Sequence, residues 1–233
     1  MSCIPKRGKL AASECGIDYL IPYIDWAEGA TTLVRWAESV HPQQVLENTD
    51  INSTPVAKPK NPLVEISKLP PTSDAPLTVS ISTRFRIPFY SLCHHDEVVQ
   101  TWRWEDGMND PLAYWQLKNL WTVLSASAPM YRIYGDKVKK HAEEIRRTQQ
   151  YVNKWVRQVA FDEMTNHRFV TPDRLVQETE FSSGRGVVVN FGTAAHTLAD
   201  GQVVKPRDYV MFTKAPDGRR TYTLPPCPNV FAE

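Results

Sequence analysis

The sequence predicts an α/β fold over residues 1–171 and an antiparallel β module over residues 172–233. Up to about Arg147, strand-like and helix-like segments alternate, which is typical of an α/β layer architecture. After Pro172 the pattern changes to short apolar strands joined by turns that contain glycine, which is typical of antiparallel sheets. We therefore expect parallel strands within residues 1–135 and an antiparallel sheet from about 172 to 224.

Composition excludes several classes of function. The 233 residues carry 27 Lys and Arg against 26 Asp and Glu, a net charge of +1, and the basic residues do not form one block. No nucleic-acid or anionic-membrane partner is expected from this distribution. The four cysteines show no C-x-x-C pair, so neither a zinc site nor a disulfide framework is predicted. No signal peptide or membrane-length apolar run is seen, which favours a soluble protein, cytoplasmic by default. The sequence does not indicate an oligomeric state.

The first segments of the chain alternate between strand-like and helix-like patterns. Residues 9–13 are a short strand candidate that leads into Glu14, and residues 19–26 are apolar. Residues 30–40 have a rough helical period. Residues 41–76 are rich in Pro, Asn and Ser, and a connection of this length is either a functional lid or a disordered insertion.

The middle segments continue the alternation. Residues 79–92 have strand character, and residues 110–111, Asp then Pro, suit the start of a helix because Asp can cap and Pro is tolerated in the first turn. Residues 129–133 are a short buried-strand candidate. Residues 138–155 are predicted to form a long charged helix with a break near Thr148.

The last segments are strands and turns. Strands are predicted at 176–181, 187–191 and 209–212, with turns at 182–186 and 199–202. This spacing indicates antiparallel pairing.

The densest polar and aromatic chemistry lies at residues 94–106. These thirteen residues contain two histidines, four carboxylates and two tryptophans, and they follow the apolar run at 87–93. Carboxylates accept hydrogen bonds from hydroxyls, and aromatic faces pack against the C–H face of a pyranose. Acidic groups at the end of a buried strand also match the catalytic face of a (β/α) barrel. The alternative is a buried aromatic core with solvated charges in a loop.

The candidate substrate-binding residues are Asp25, His95, Asp96, Trp102, Trp104 and Asp106. Trp102 and Trp104 point to the same side of an extended segment, so they form either a stacking platform or part of the core. His95 and Asp96 either face a substrate or form a structural pair at a strand end. Asp25 either contacts a sugar or caps the helix predicted at 30–40.

A metal site at His94, His95 and Asp96 is not predicted. Adjacent residues on a strand point to opposite faces, so His94 and His95 would not share an ion. No second His and Asp cluster supplies further ligands, and no cofactor is expected.

Four strings carry a resemblance to a known family. They are SECG at 13–16, PYIDWAEG at 22–29, HDxVVxTWxWxD at 95–106 and VVNFG at 188–192. Together they resemble the C-terminal half of the α-N-acetylgalactosaminidases of glycoside hydrolase families 101 and 129. The resemblance covers most of the chain except residues 39–76. The string at 95–106 is the specific one, whereas VVNFG is common to the C-terminal β modules of many glycosidases.

The resemblance implies the C-terminal part of a (β/α) barrel followed by an antiparallel β-sandwich. It also implies a retaining glycosidase that acts on α-linked sugars, with a carbohydrate as its substrate. Glu14 is then the candidate acid/base, and the aspartate nucleophile of such enzymes lies upstream of it. We therefore expect the 233-residue product to be a fragment that hydrolyses aryl α-glycosides negligibly until it is extended upstream. The alternative is a non-catalytic carbohydrate-binding protein or a degenerate glycosidase.

Overall fold

The computed structural model describes residues 10–13, 18–28, 87–101, 112–131 and 135–227. Outside the described residues lie the predicted helix at 30–40, the proline-rich segment at 41–76, and the candidate site residues Glu14, Trp102, Trp104 and Asp106.

A small parallel sheet forms the first part of the fold. Strands β1 (Ala12–Ser13), β2 (Trp26–Glu28) and β3 (Val99–Thr101) pair in the order β1-β2-β3, and both pairings are parallel. Thr101 also forms an isolated parallel bridge to Ala128. The parallel pairing predicted within residues 1–135 is confirmed for these strands, while a barrel remains a prediction.

The apolar run before His94 is a helix, so the predicted strand at 79–92 is wrong in its described part. Helix α1 spans Phe89–His94, with Pro88 at its N-cap position. A short apolar run suits a buried helix as well as a buried strand, and its periodicity cannot separate the two. The helix packs on β3, where Ser91 Oγ donates a 2.7 Å hydrogen bond to Gln100 Oε1.

Three further helices follow: α2 (Leu112–Ser125), α3 (Lys137–Lys140) and α4 (Ala142–Val159). The predicted break near Thr148 is wrong, because α4 is continuous there and the interruption falls at His141 instead. Thr148 is fully buried, so packing outweighs the modest helix propensity of threonine. The buried positions of α4 recur every three or four residues: Thr148, Tyr151, Val152, Trp155 and Val159.

Residues 129–131 lie outside any strand, so the strand predicted at 129–133 is wrong in its described part, and the isolated bridge at Ala128 lies just before it. None of the described helices is both long enough and apolar enough to cross a membrane.

A five-stranded antiparallel sheet forms the second part. Its strands are β4 (Met164–Phe169), β5 (Val176–Phe181), β6 (Arg185–Asn190), β9 (Asp208–Lys214) and β10 (Arg220–Thr223), in the order β10-β9-β6-β5-β4. A separate two-stranded ribbon consists of β7 (His196–Thr197) and β8 (Val203–Val204). The predicted antiparallel pairing is confirmed. Strand β4 was not predicted from the sequence, because its residues are mostly polar and partly exposed.

The central strands of the five-stranded sheet, β5, β6 and β9, are largely buried on both faces. On one face, α2 and α4 pack against alternate residues such as Val187, Val189 and Met211. On the other face, Val188 and Val210 belong to a second apolar cluster that includes residues of the β7–β8 ribbon. Helices therefore cover one face and a ribbon contributes to covering the other, while a full β-sandwich remains a prediction.

Candidate functional site

The parallel sheet defines a carboxyl edge, which is the edge at which β1, β2 and β3 end. In register, Ala12 pairs with Trp26, and Trp26 pairs with Val99. The carboxyl ends of parallel strands meet at one edge, where α/β folds place their sites. In the sequence, Glu14 directly follows β1 and Trp102 directly follows β3.

Three side chains form a connected group on one face of this sheet. Trp26 Nε1 donates a 2.8 Å hydrogen bond to Thr101 Oγ1, which in turn lies 3.7 Å from Met130 Sδ. Side chains alternate between the two faces of a strand, so Trp26 and Thr101 lie opposite the face on which Gln100 contacts α1. The indole, hydroxyl and thioether therefore lie on the face that α1 leaves uncovered.

Asp25 lies at the opposite, amino edge. Its Oδ2 accepts a 2.8 Å hydrogen bond from Ala11 N, and its own N–H donates to Ala11 O at 2.8 Å. Asp25 directly precedes β2, so both contacts hold the starts of β1 and β2 together. The geometry thus ties this exposed carboxylate to strand pairing.

His95 is buried at the junction between the two parts of the fold. It is 6% exposed, its Nδ1 lies 2.6 Å from Asp162 O, and its Nε2 lies 3.3 Å from Ala126 O. Its ring meets Phe181 edge-on at 5.0 Å. The contacts of His95 are thus to backbone carbonyls and an aromatic ring rather than to Asp96, the partner proposed from the sequence.

Asp96 and Glu97 lie in the turn between α1 and β3, and both are exposed. Glu97 Oε2 lies 2.9 Å from His94 Nδ1. This turn precedes β3, so it belongs to the amino edge, as Asp25 does. Among the described residues, no three His, Cys, Asp or Glu side chains come close enough to hold a metal ion.

The predicted site residues therefore divide into two groups. Asp25, His95 and Asp96 lie away from the carboxyl edge. The other four lie outside the described residues: Glu14, Trp102, Trp104 and Asp106. In the sequence, Glu14 directly follows β1 and Trp102 directly follows β3, and Trp104 and Asp106 come shortly after Trp102.

Sequence reasoning missed a second polar cluster, on the antiparallel sheet. Glu178 is 1% exposed and accepts hydrogen bonds from the guanidinium groups of both Arg168 and Arg220. Burial alone raises the pKa of Glu178, but the hydrogen bonds from Arg220 and Arg168 outweigh it and hold that pKa below its usual value. The available signal was a charged residue in each of the segments that form β4, β5 and β10. Their convergence depends on pairing between segments that are distant in the sequence.

The sequence matches a family of glycosyl hydrolases over residues 1–180. The chain therefore belongs to GH129, the glycosyl hydrolases related to the GH101 family. This confirms the resemblance drawn from the four sequence strings. No curated protein sequence matches the chain significantly.

Solved structures of one enzyme are similar to the chain. The α-N-acetylgalactosaminidase NagBb from Bifidobacterium bifidum in complex with GalNAc is 20% identical, with a TM-score of 0.47 over 81% of this chain and 24% of that one. Its ligand-free form is 19% identical, with a TM-score of 0.43 over 80% and 23%. A quadruple mutant is 19% identical, with a TM-score of 0.44 over 87% and 24%. This chain spans about a quarter of the length of these structures.

Proposed function

We propose that this chain contributes part of the active site of a retaining glycosidase that acts on α-linked N-acetylgalactosamine. Membership of GH129 supports glycoside hydrolysis as the reaction class. The observation that carries the proposal is the parallel order β1-β2-β3, because Glu14 directly follows β1 and Trp102 directly follows β3. In the sequence, a carboxylic acid and an aromatic residue thus directly follow two strands of one parallel sheet, which supports a sugar site at the carboxyl ends of those strands.

In this proposal Glu14 is the acid/base residue. A general acid protonates the glycosidic oxygen as the bond to the anomeric carbon breaks, and the same group later deprotonates the attacking water. Retention also requires a second carboxyl group roughly 5 Å away, which attacks the anomeric carbon. We assign no residue of this chain to that second role.

The remaining groups would bind the sugar. Trp102 and Trp104 supply flat faces for the C–H side of the pyranose. Asp106 accepts hydrogen bonds from sugar hydroxyls, which are stronger when the acceptor is ionised. The hydrogen-bonded pair Trp26 and Thr101 lies on the face of the parallel sheet that α1 leaves uncovered, and we propose that it supports the floor of the site.

For Asp25, His95 and Asp96 we propose structural or solvent-facing roles in place of the sugar contacts predicted from the sequence. Asp25 is bonded to the backbone of Ala11, and His95 contacts two backbone carbonyls. Asp96 is exposed in a turn at the amino edge. The distance of all three from the carboxyl edge supports a structural or solvent-facing role.

The test is the hydrolysis of two α-N-acetylgalactosaminides by a polypeptide that contains this chain, with Glu14 and with Glu14→Gln. The 4-nitrophenyl glycoside has a good leaving group that needs little protonation, whereas the methyl glycoside depends on an acid. We expect Glu14→Gln to slow the methyl glycoside by at least roughly 100-fold, the lower range of general acid catalysis, and the 4-nitrophenyl glycoside much less. Asp25→Asn is the matched control and should leave both rates near the parent values.

Equal slowing of both substrates would remove Glu14 from the acid role. Binding of N-acetylgalactosamine without turnover of either substrate would favour the second candidate, a non-catalytic carbohydrate-binding protein. The absence of both binding and turnover would contradict the proposed function.

A further inference from the structure

A cleft of about 1000 Å³ lies on the face of the five-stranded sheet that the helices do not cover. One wall is the β7–β8 ribbon with its connecting turn, and the other is formed by β4, β10 and the turn before β10. Its polar lining consists of Arg168, His196, Asp200, Gln202, Arg219 and Arg220. The volume is at the upper end of the range for small-molecule sites, so the cleft has room for a ligand of more than one ring.

A charged network stabilises the base of this cleft. Arg168 contacts Glu178 with Nε at 3.0 Å and Nη2 at 2.8 Å, and Arg220 contacts it with Nη1 at 2.8 Å and Nη2 at 2.7 Å. Arg220 also reaches Glu180 at 2.9 Å. The buried carboxylate holds both guanidinium groups in fixed orientations, because each of them donates two hydrogen bonds to it from its planar fork.

Gly186 allows Arg220 to reach this position. A Cβ atom at Gly186 would collide with the ring of Phe212. With no side chain there, the Phe212 ring lies over β6, and the Arg220 guanidinium stacks 4.0 Å from its centroid. The arginine is thus supported from below by an aromatic face.

The carboxylates in and around the cleft accept hydrogen bonds from within the protein, whereas two arginine side chains are exposed. Glu178 accepts four hydrogen bonds from the two arginines, and Asp200 Oδ2 accepts a 2.5 Å hydrogen bond from Tyr222 Oη. By contrast, the side chain of Arg168 is 51% exposed and that of Arg219 is 80% exposed. Arg219 has Asp217 at 3.5 Å, which is also largely exposed. The lining has three arginines against one aspartate, and Glu178, Glu180 and Asp217 pair with those arginines from outside the lining. The exposed guanidinium donors of Arg168 and Arg219 favour a ligand that supplies anionic acceptors.

We propose that this cleft is a second, non-catalytic site that binds an acidic saccharide through its carboxylate or sulfate group. Carboxylate and sulfate oxygens match the planar donors of arginine, and charge assistance strengthens these hydrogen bonds. The half-buried ring of Tyr222, which also lines the cleft, offers a face for a sugar ring. The anionic group follows from the cleft itself, whereas the choice of a saccharide rests on the proposed function.

Isothermal titration calorimetry with three trisaccharide or disaccharide probes tests this site: 3′-sialyllactose, 3′-sulfolactose and neutral lactose. We expect one or both acidic probes to bind at least roughly tenfold more tightly than lactose, since one charge-assisted hydrogen bond accounts for about that factor. Raising the salt concentration should weaken the acidic probe and not lactose. Whether the carboxylate or the sulfate binds more tightly identifies the source of the anion.

Arg219→Ala is the informative variant because its side chain is the most exposed of the three arginines and does not contact Glu178. It should weaken the acidic probe roughly tenfold, and Arg219→Glu should weaken it further. Arg157→Ala is the matched control, since Arg157 is an exposed arginine on α4, which covers the other side of the sheet. Arg157→Ala should leave the affinity unchanged.

Equal affinity for lactose and the acidic probes, no binding of any probe, or no effect of Arg219→Glu would each overturn the proposal. Inorganic sulfate that binds as tightly as 3′-sulfolactose would overturn the saccharide part of it. Glu14→Gln should leave binding in this cleft unchanged. If the parent protein shows cleft binding but no hydrolysis, the result counts against the proposed function alone. If it shows hydrolysis but no cleft binding, the result counts against the cleft alone.

Discussion

His95 Nδ1 lies 2.6 Å from the carbonyl oxygen of Asp162, and this contact joins the parallel part of the fold to the antiparallel part. His95 directly follows α1, whereas Asp162 lies between α4 and β4. A carbonyl can only accept, so the Nδ1 nitrogen carries the proton in this hydrogen bond. The same ring packs edge-on against Phe181 in β5. One buried side chain therefore links a helix of the first part to the sheet of the second.

Replacing His95 with Ala is expected to destabilise the protein rather than to remove a sugar contact. The change leaves the carbonyl of Asp162 without its donor and opens a cavity beside Phe181. We expect a loss of about 2–3 kcal/mol in the free energy of unfolding, measured by urea denaturation. His94→Ala is the control, because His94 pairs with the exposed Glu97, and it should cost much less. Unchanged stability together with weaker binding of N-acetylgalactosamine would return His95 to the substrate-facing role.

Glu178 and Glu143 allow a comparison of ion pairs that differ in burial. Each accepts hydrogen bonds from two arginines, but Glu178 is 1% exposed whereas the side chain of Glu143 is 53% exposed. We expect Glu178→Gln to lower the free energy of unfolding by about 3 kcal/mol at neutral pH, since it removes the charged partner of Arg168 and one of the two charged partners of Arg220. Glu143→Gln should have little effect on the same urea titration, because solvent screens exposed pairs.

The stability cost of Glu178→Gln should also depend on pH. The folded protein holds the pKa of Glu178 below its ordinary value of 4.5, so the carboxylate stabilises the fold above that pH. This contribution is lost as the pH falls from about 4.5 through the folded pKa. The stability difference between the parent and Glu178→Gln should therefore shrink in urea titrations carried out at successively lower pH. A difference that stays constant, or equal costs for the Glu178 and Glu143 variants, would contradict the buried network.

Trp102 and Trp104 are expected to matter for binding more than for folding. Replacing either with Ala should cost roughly 1–3 kcal/mol of sugar binding, the range found for aromatic stacking. Calorimetry with N-acetylgalactosamine measures this, and thermal unfolding should be nearly unchanged. Trp155→Ala is the contrasting variant, because Trp155 is fully buried and donates from Nε1 to Val123 O, so its loss should cost about 3–5 kcal/mol of stability. Collapse of the fold on Trp102→Ala would mean that Trp102 belongs to the core.

The layout of the fold was largely predictable, whereas the contacts of the site were not. The change of period after Pro172 predicted antiparallel pairing, and the alternation before it predicted parallel strands. The local sequence pattern gave a wrong prediction at residues 89–94, because an apolar run of this length suits either a helix or a strand. It also could not place His95, whose carbonyl partners lie 31 and 67 residues further along the chain.

The same limit explains the two groups of site residues. Asp25 looked like a helix cap or a sugar ligand because its actual partner, Ala11, lies 14 residues earlier. The charged network around Glu178 joins residues 10 and 42 positions away, and only the strand order of the sheet brings them together. By contrast, the strand that precedes Glu14 could be predicted from the sequence, since that property depends on local pattern.

The location of the sugar site is tested most directly by nuclear magnetic resonance. In a titration of ¹⁵N-labelled protein with N-acetylgalactosamine, we predict that the indole N–H signals of Trp102, Trp104 and Trp26 shift in a saturable manner, while that of the core residue Trp155 does not. Such shifts would place the sugar at the carboxyl edge of the parallel sheet. Shifts confined to the other cleft, around Arg219, or unchanged tryptophan signals at saturating sugar would contradict a sugar site at that edge.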